Sequence, residues 1–236
     1  MHLGVIHATV NAVAPVMKQL KEIRPEIVIS NYVDEGLLTY ADKAGQVSPA
    51  GLRKFLRIIN QATIDNVDGI LVACSVYCQY KDIFSGFAEV PVTAIDEPMV
   101  KMAVTKGNRI GAIATTSAAI PVVERQLLKE AKITGKDVSV QRVLLKDASI
   151  CLQNGDRDKH DEMIGQAIIN LLNDHCDVVV LAQVSMTSAK DKLLTLHPEI
   201  CGEKILTSLK SGVDNAVKQA EEGVYEKANS NRLCGG

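Results

Sequence analysis

Short apolar runs rich in β-branched residues alternate along the whole chain with longer stretches whose apolar positions recur every three or four residues. Residues 3–7, 26–31, 69–73, 91–95, 109–114, 137–144, 177–182 and 203–207 predict strands. The runs carry little polar alternation, as expected of parallel strands covered on both faces. Helices are predicted between them. One begins near Asn11 and is closed by Pro25. Another opens at Ser48-Pro49, a capping residue followed by proline at the first helical position, and continues to about Ile64. Ser117 is expected to cap a helix carrying Pro121 in its first turn. Asp156 to Asn173 and Ser208 to Lys227 supply two more. Strand–helix alternation of this kind implies open, mostly parallel α/β sheets.

The pattern is written twice. Asp68-Gly-Ile-Leu-Val-Ala-Cys74 and Asp177-Val-Val-Val-Leu-Ala-Gln183 are 109 residues apart at both ends. Leu3-Gly-Val-Ile-His-Ala-Thr9 resembles Ile110-Gly-Ala-Ile-Ala-Thr-Thr116 at an offset of 107, which also relates Ala12 to Ala119, Val16 to Val123 and Leu20 to Leu127. The expected fold is therefore two similar α/β lobes related by a pseudo-two-fold axis, with an active-site cleft between them. Residues 1–96 plus the helix 208–228 would form the first lobe, 97–207 the second, and 229–236 a frayed tail. Cys74 and Gln183 would then stand on opposite walls of the cleft.

Length and composition narrow the function. At 236 residues, 47% of them apolar, the chain can bury two cores. A net charge of −2 leaves no electrostatic footprint for a phosphate backbone. Aromatic residues make up 3% and tryptophan is absent, which disfavours base-stacking platforms. No apolar run approaches the roughly 20 residues that span a bilayer, and the N-terminus lacks the features of a signal peptide. Neither nucleic acid nor membrane is expected as a partner, and a cytoplasmic location is. Assembly into a homo-oligomer stays open. The six cysteines (74, 78, 151, 176, 201 and 234) show no paired spacing and are expected to be thiols. No histidine cluster completes a metal site with Cys74 and Cys78. There is no glycine-rich dinucleotide or nucleoside-triphosphate fingerprint.

In open parallel sheets a ligand sits beyond the carboxyl ends of the strands, near the point where strand order reverses. The polar clusters that interrupt the apolar pattern fall there: His7-Ala-Thr9, Asn31 to Glu35, Cys74-Ser75, Asp96-Glu97, Thr115-Thr-Ser117 and Gln183 to Ser188. Helices begin after Ser117 and around Asn11. Their exposed N–H groups suit a carboxylate, and the hydroxyls of Thr115, Thr116 and Ser117 add donors.

These positions resemble the aspartate/glutamate/hydantoin racemase superfamily over nearly the whole chain. Ala73-Cys74-Ser75 matches the superfamily's first cysteine motif, and Ala182-Gln183 matches the second in position. Ile113-Ala-Thr-Thr116 resembles its substrate-carboxylate loop. The resemblance implies an enzyme without metal or pyridoxal cofactor, an isomerase or racemase acting on a small carboxylate. In that superfamily two thiols flank a carbon acid: one removes the α-proton and the other delivers a proton to the opposite face. Cys74, Gln183 and His7 are the implied catalytic positions. Thr9, Ser75, Val76, Thr115, Thr116, Ser117, Val184 and Ser185 are the implied contacts to substrate.

Gln183 departs from that pattern, because an amide has no proton to exchange near neutrality. Another group could act on the second face, with His7, Asp34, Asp96 or Glu97 as candidates. The enzyme could instead need one proton only, as a decarboxylase that protonates an enolate from Cys74, or Cys74 could attack as a nucleophile. Loss of turnover would leave a carboxylate-binding protein. Plainer roles compete at each position. Cys74 could be small apolar filler, as is expected for the other five cysteines. His7 could be a structural histidine tied to backbone, and Asp96 or Glu97 a helix cap. Gln183 either meets substrate or is tied to a neighbouring loop. His160, His175 and His197 are expected at the surface.

Overall fold

A computed structural model describes the backbone of residues 1–233 and the side chains of residues 1–225. Two compact units emerge. Unit 1 holds Met1–Tyr40, Val47–Ile95 and the chain from Leu209 onward, and unit 2 holds Ala41–Gln46 and Asp96–Ser208. The expected boundaries lacked the short segment 41–46 in the second unit and put Asp96 and Ser208 in the first.

Unit 1 runs β1 (His2–His7), α1 (Val13–Ile23), β2 (Val28–Val33), α2 (Pro49–Ile64), β3 (Gly69–Val72), the short helices α3 (Ser75–Cys78) and α4 (Lys81–Ser85), and β4 (Val92–Ala94). Its strands form one parallel sheet in the order β2-β1-β3-β4. Strand order reverses between β1 and β3, so their carboxyl ends are the switch point. Ser48 caps α2, accepting a hydrogen bond from Gly51 N–H, and Pro49 follows it. Side chains alternate between the two faces of a strand. Gly4 packs against Ala62 of α2, which fixes the α2 face as Gly4, Ile6, Ile70 and Val72. Gly69 lies against Ala220, so Leu3, Val5, His7 and Leu71 share the opposite face.

Unit 2 continues with α5 (Glu97–Lys106), β5 (Arg109–Ala114), α6 (Ala119–Thr134), β6 (Ser139–Leu144), α7 (Lys146–Gln153), α8 (Arg157–Asn173), β7 (Val178–Leu181), α9 (Thr187–Leu196) and β8 (Ile205–Thr207). The sheet is again parallel, in the order β6-β5-β7-β8, with the switch point between β5 and β7. Ile110, Ala112, Ala114, Val178, Val180 and Ala182 bury one face against α5 and α6. Ile113, Val179 and Leu181 bury the other against α8 and α9. The last helix, α10 (Leu209–Leu233), belongs to unit 1, where it packs on β3 and β4.

All eight expected strands are present, and three of them, β2, β6 and β8, begin two residues later than expected. β2 begins at Val28 because Pro25 and Glu26 form a turn, and it runs on past Asn31 to Val33, into the polar stretch expected beyond the strand end. Ser117 does not cap α6; Ala118 holds the N-cap position without a side-chain bond, and Thr116 O accepts from Ala119 N–H. Helices α3, α4, α7 and α9 lie where the sequence pattern predicts none. Helix α10 continues through Asn229 to Leu233, where fraying was expected, and the rest of that tail, with Cys234, lies outside the described residues. Among the described residues, no helix is long and apolar enough to cross a membrane.

Two glycines mark tight contacts. Gly45 has φ +72° and sits against the Ala118 carbonyl at the start of α6, where Arg125 also donates to Ala44 O. Gly212 lets α10 touch the Ile95 backbone; a Cβ there would meet the Ile95 carbonyl. Gly212→Ala is expected to destabilise the protein by about 1–3 kcal/mol, the usual cost of overpacking a close contact. Urea unfolding checks this, and an unchanged midpoint would show that α10 can shift freely on β4.

Candidate functional site

Each unit presents its polar residues at its own switch point. In unit 1, Ala73 N–H donates to Ile6 O, extending the β1–β3 ladder by one step. Cys74 follows in extended conformation, φ −138° and ψ 108°, and serves as the N-cap of α3. Alternation continues from Val72 and directs Cys74 to the α2 face, where the residue is 9% exposed. Its carbonyl accepts from Tyr77 and Cys78 N–H at 2.9 and 3.0 Å.

The turn after Cys74 is held by an aromatic stack that the sequence analysis missed. Tyr77 is fully buried, stacks on Phe55 of α2 with centroids 4.6 Å apart, and donates its hydroxyl to Leu37 O at 2.9 Å. Phe84 stacks on the other side of Phe55 at 4.3 Å. Burial pushes the Tyr77 phenol well above its ordinary pKa, and the neighbouring Cys74 and Asp34 charges add to the shift. An aromatic three residues after a strand-end cysteine was the available signal. Ser75 is half-buried; the Val76 side chain is buried and its carbonyl accepts from Gln79. Thr9 is half-buried beyond β1, with its carbonyl accepting from Ala12 N–H.

His7 lies on the opposite face of the sheet from Cys74. It is fully buried, and its Nε2 is 3.0 Å from Asn31 Oδ1. Asn31 Nδ2 in turn donates to Met17 Sδ of α1. The amide oxygen therefore faces the ring, which puts the proton on Nε2 and leaves Nδ1 bare and buried without a partner. Burial lowers the His7 pKa, opposed in part by Asn31. The arrangement favours the structural of the two roles considered for His7. The other acids considered are engaged. Asp34 pairs with Lys54 through both carboxylate oxygens, at 2.8 and 2.7 Å. Asp96 accepts from Gln126, and Glu97 from Lys101.

In unit 2 the strand-end geometry recurs. Ala182 N–H donates to Ile113 O, and Gln183 is extended, φ −135° and ψ 140°, ahead of a 3-10 turn at Val184–Met186. Gln183 shares the α8 face with Thr115 by register. Its Oε1 accepts from Thr115 N–H at 2.6 Å and from Thr115 Oγ1 at 3.1 Å. Thr115 is thus committed to Gln183, whereas the sequence assigned its donors to a carboxylate. Thr116 and Ser117 are half-buried, and their hydroxyls make no hydrogen bond among the described residues. Val184 is buried and Ser185 half-buried.

Two further expectations change. His160 is fully buried, with Nδ1 2.7 Å from Asp161 Oδ1, which also accepts from Ser188. A hydrogen-bonding acidic neighbour one residue on is the sign that the sequence carries. Cys201 is exposed, while Cys78 and Cys176 are buried and Cys151 is intermediate. A groove of about 500 Å³ in unit 2, lined among others by Val143, Met163 and Leu171, contains none of the expected site residues. Among the described residues, no group of three His, Cys, Asp or Glu is placed to hold a metal ion.

Comparison with known proteins gives a consistent result. The family described as Asp/Glu/Hydantoin racemase matches residues 7–215. No curated protein sequence is significantly similar. Among solved structures, glutamate racemase from Thermus thermophilus in complex with β-chloro-D-alanine superposes with a TM-score of 0.69 at 19% identity, covering 93% of this chain and 80% of that one. The aspartate racemase of Picrophilus torridus gives 0.68 at 13% identity, with 93% and 94% covered. Allantoin racemase from Klebsiella pneumoniae gives 0.64 at 15%, with 94% and 89% covered. At these identities the likeness is one of fold.

The buried, neutral His7 has a measurable consequence. Below the ordinary histidine pKa of about 6.5, the unfolded chain gains a proton that the folded one resists, so stability is full above that pH and falls on acidification. His7→Gln, which keeps a donor for Asn31, is expected to flatten the decline. Denaturant unfolding between pH 5 and 7.5, on the order of the window set by that shift, tests it; parallel profiles for variant and wild type would contradict it.

Proposed function

Because the chain belongs to the Asp/Glu/hydantoin racemase family, we propose that it is a racemase-type enzyme that moves a proton at carbon on a small carboxylate, with Cys74 as the group that carries it. The observation that bears most weight is the setting of Cys74. It ends a central strand at the switch point of unit 1, on a backbone pinned by two accepted hydrogen bonds and backed by the Tyr77–Phe55–Phe84 stack. A thiol has an ordinary pKa of about 8.5, close enough to neutrality to both take and return a proton. As thiolate, Cys74 would remove the α-proton of the carboxylate substrate, leaving the electron pair as an enolate. As thiol it would return a proton to that carbon and become thiolate again. The residues assign no cofactor to either step.

Gln183 favours chemistry on one face. The strand-end position that corresponds to Cys74 in unit 2 carries an amide, and the alternative acids and His7 are engaged elsewhere. Proton exchange with retention, or decarboxylation followed by protonation from Cys74, fits a single thiol better than inversion does. The repeated strand order and the equivalent strand-end bonds support descent of both units from one ancestral unit.

Incubation in deuterated water with a panel of amino and dicarboxylic acids is the test. Solvent deuterium is expected at the α-carbon of a substrate without inversion, or in the product of a decarboxylated malonate. Cys74→Ala and Cys74→Ser are expected to lower that rate by about 100-fold or more with the fold retained by circular dichroism, since a serine hydroxyl is too weak an acid to substitute. Wild-type rates in Cys74→Ala would remove Cys74 from the reaction.

A further inference from the structure

The hydrogen bonds between Thr115 and Gln183 fix which end of the amide faces Thr115 and which is turned away from it. Thr115 N–H can only donate, so the atom 2.6 Å from it is the amide oxygen, and the Thr115 hydroxyl supplies a second donor at 3.1 Å. A reversed amide would set its NH2 group against that N–H and forfeit both bonds. Thr115 is 4% exposed and directly follows Ala114, the last residue of β5 paired with β6, so burial and the adjoining ladder hold it in place. The Nε2 group of the half-buried Gln183 therefore points away from Thr115, and it makes no hydrogen bond among the described residues. Beside it in sequence order at the neighbouring strand end, the Thr116 and Ser117 hydroxyls are likewise unengaged.

We propose that Gln183 is an oriented hydrogen-bond donor for an oxyanion, a substrate carboxylate or the enolate oxygen formed from it, and that Thr115 is the positioning residue that aims it. The inference rests on the carboxylate chemistry proposed above. It assigns unit 2 a recognition role where a thiol would have had a proton-transfer role. The Gln183 NH2 group itself offers two N–H donors and no acceptor, and such donors bind an anionic oxygen more strongly than a neutral one.

The informative substitution is Gln183→Glu. A carboxylate accepts both Thr115 bonds as well as the amide does, so a purely structural role survives the change. The outward N–H donors, in contrast, are replaced by a negatively charged oxygen. Calorimetric titration with acetate, malonate, and D- and L-aspartate and glutamate is expected to show wild-type binding of at least one probe. In Gln183→Glu the affinity for that probe should fall tenfold or more at pH 7.5, with an unchanged melting temperature, and should partly recover toward pH 5 as the introduced acid gains a proton to donate. Thr115→Val should weaken binding of the same probe severalfold, and Thr115→Ser should restore it. Equal affinity in wild type and Gln183→Glu would overturn the donor role while leaving Cys74-dependent deuterium exchange intact. Binding of none of the probes by the wild type, together with absence of exchange, would overturn the carboxylate chemistry and this inference with it.

Discussion

A parallel sheet covered by helices on both faces leaves polar side chains few places to go. Along the central strands β1, β3, β5 and β7 nearly every position is buried in one of two apolar layers, and an unpaired polar atom there costs about 1–3 kcal/mol. The carboxyl ends are different, because the chain leaves the ladder there and neighbouring connections diverge at the switch point. Both units obey this constraint. Where His7 enters a layer, its Nε2 is matched by Asn31, which is held in turn by Met17, while its Nδ1 stands without a partner.

Strand alternation then decides which of two adjacent polar residues can serve a site. Cys74 and His7 end neighbouring strands, yet one parity step sends the thiol toward α2 and the imidazole toward α1 and α10. In unit 2 the same rule sends Thr115 and Gln183 to one face, where they bond to each other. The two strand ends share a backbone and differ in chemistry: one carries an ionisable sulfur braced by aromatic rings, the other an amide whose orientation is set by a threonine.

Much of this was legible in the residues. Apolar runs gave the eight strands, and Ser48-Pro49 gave the start of α2. The 109-residue spacing pointed to Cys74 and Gln183 as matching positions. What escaped depends on non-local contacts. The short helices α3 and α4 are stabilised by stacking of Tyr77 and Phe84 on Phe55, which lies 22 and 29 positions upstream of them and is invisible to a local window. His160 looked like a surface residue because its burial depends on α8 packing against α9, whose Ser188 completes the Asp161 hydrogen bonds. The commitment of Thr115 to Gln183 spans 68 residues and requires the β5–β7 register.

The contact between Gly212 and Ile95 has a bearing on biosynthesis. Helix α10 covers one side of β3 and β4, yet it is encoded after all of unit 2. On the ribosome, unit 2 has nearly its complete chain available before unit 1 does. Until the last helix emerges, Gly69 and its neighbours on that side of the first sheet stand uncovered. The order of synthesis is thus opposite to the order in which the two units begin, and a nascent chain passes through a stage in which the later unit is whole and the earlier one still waits for its closing helix.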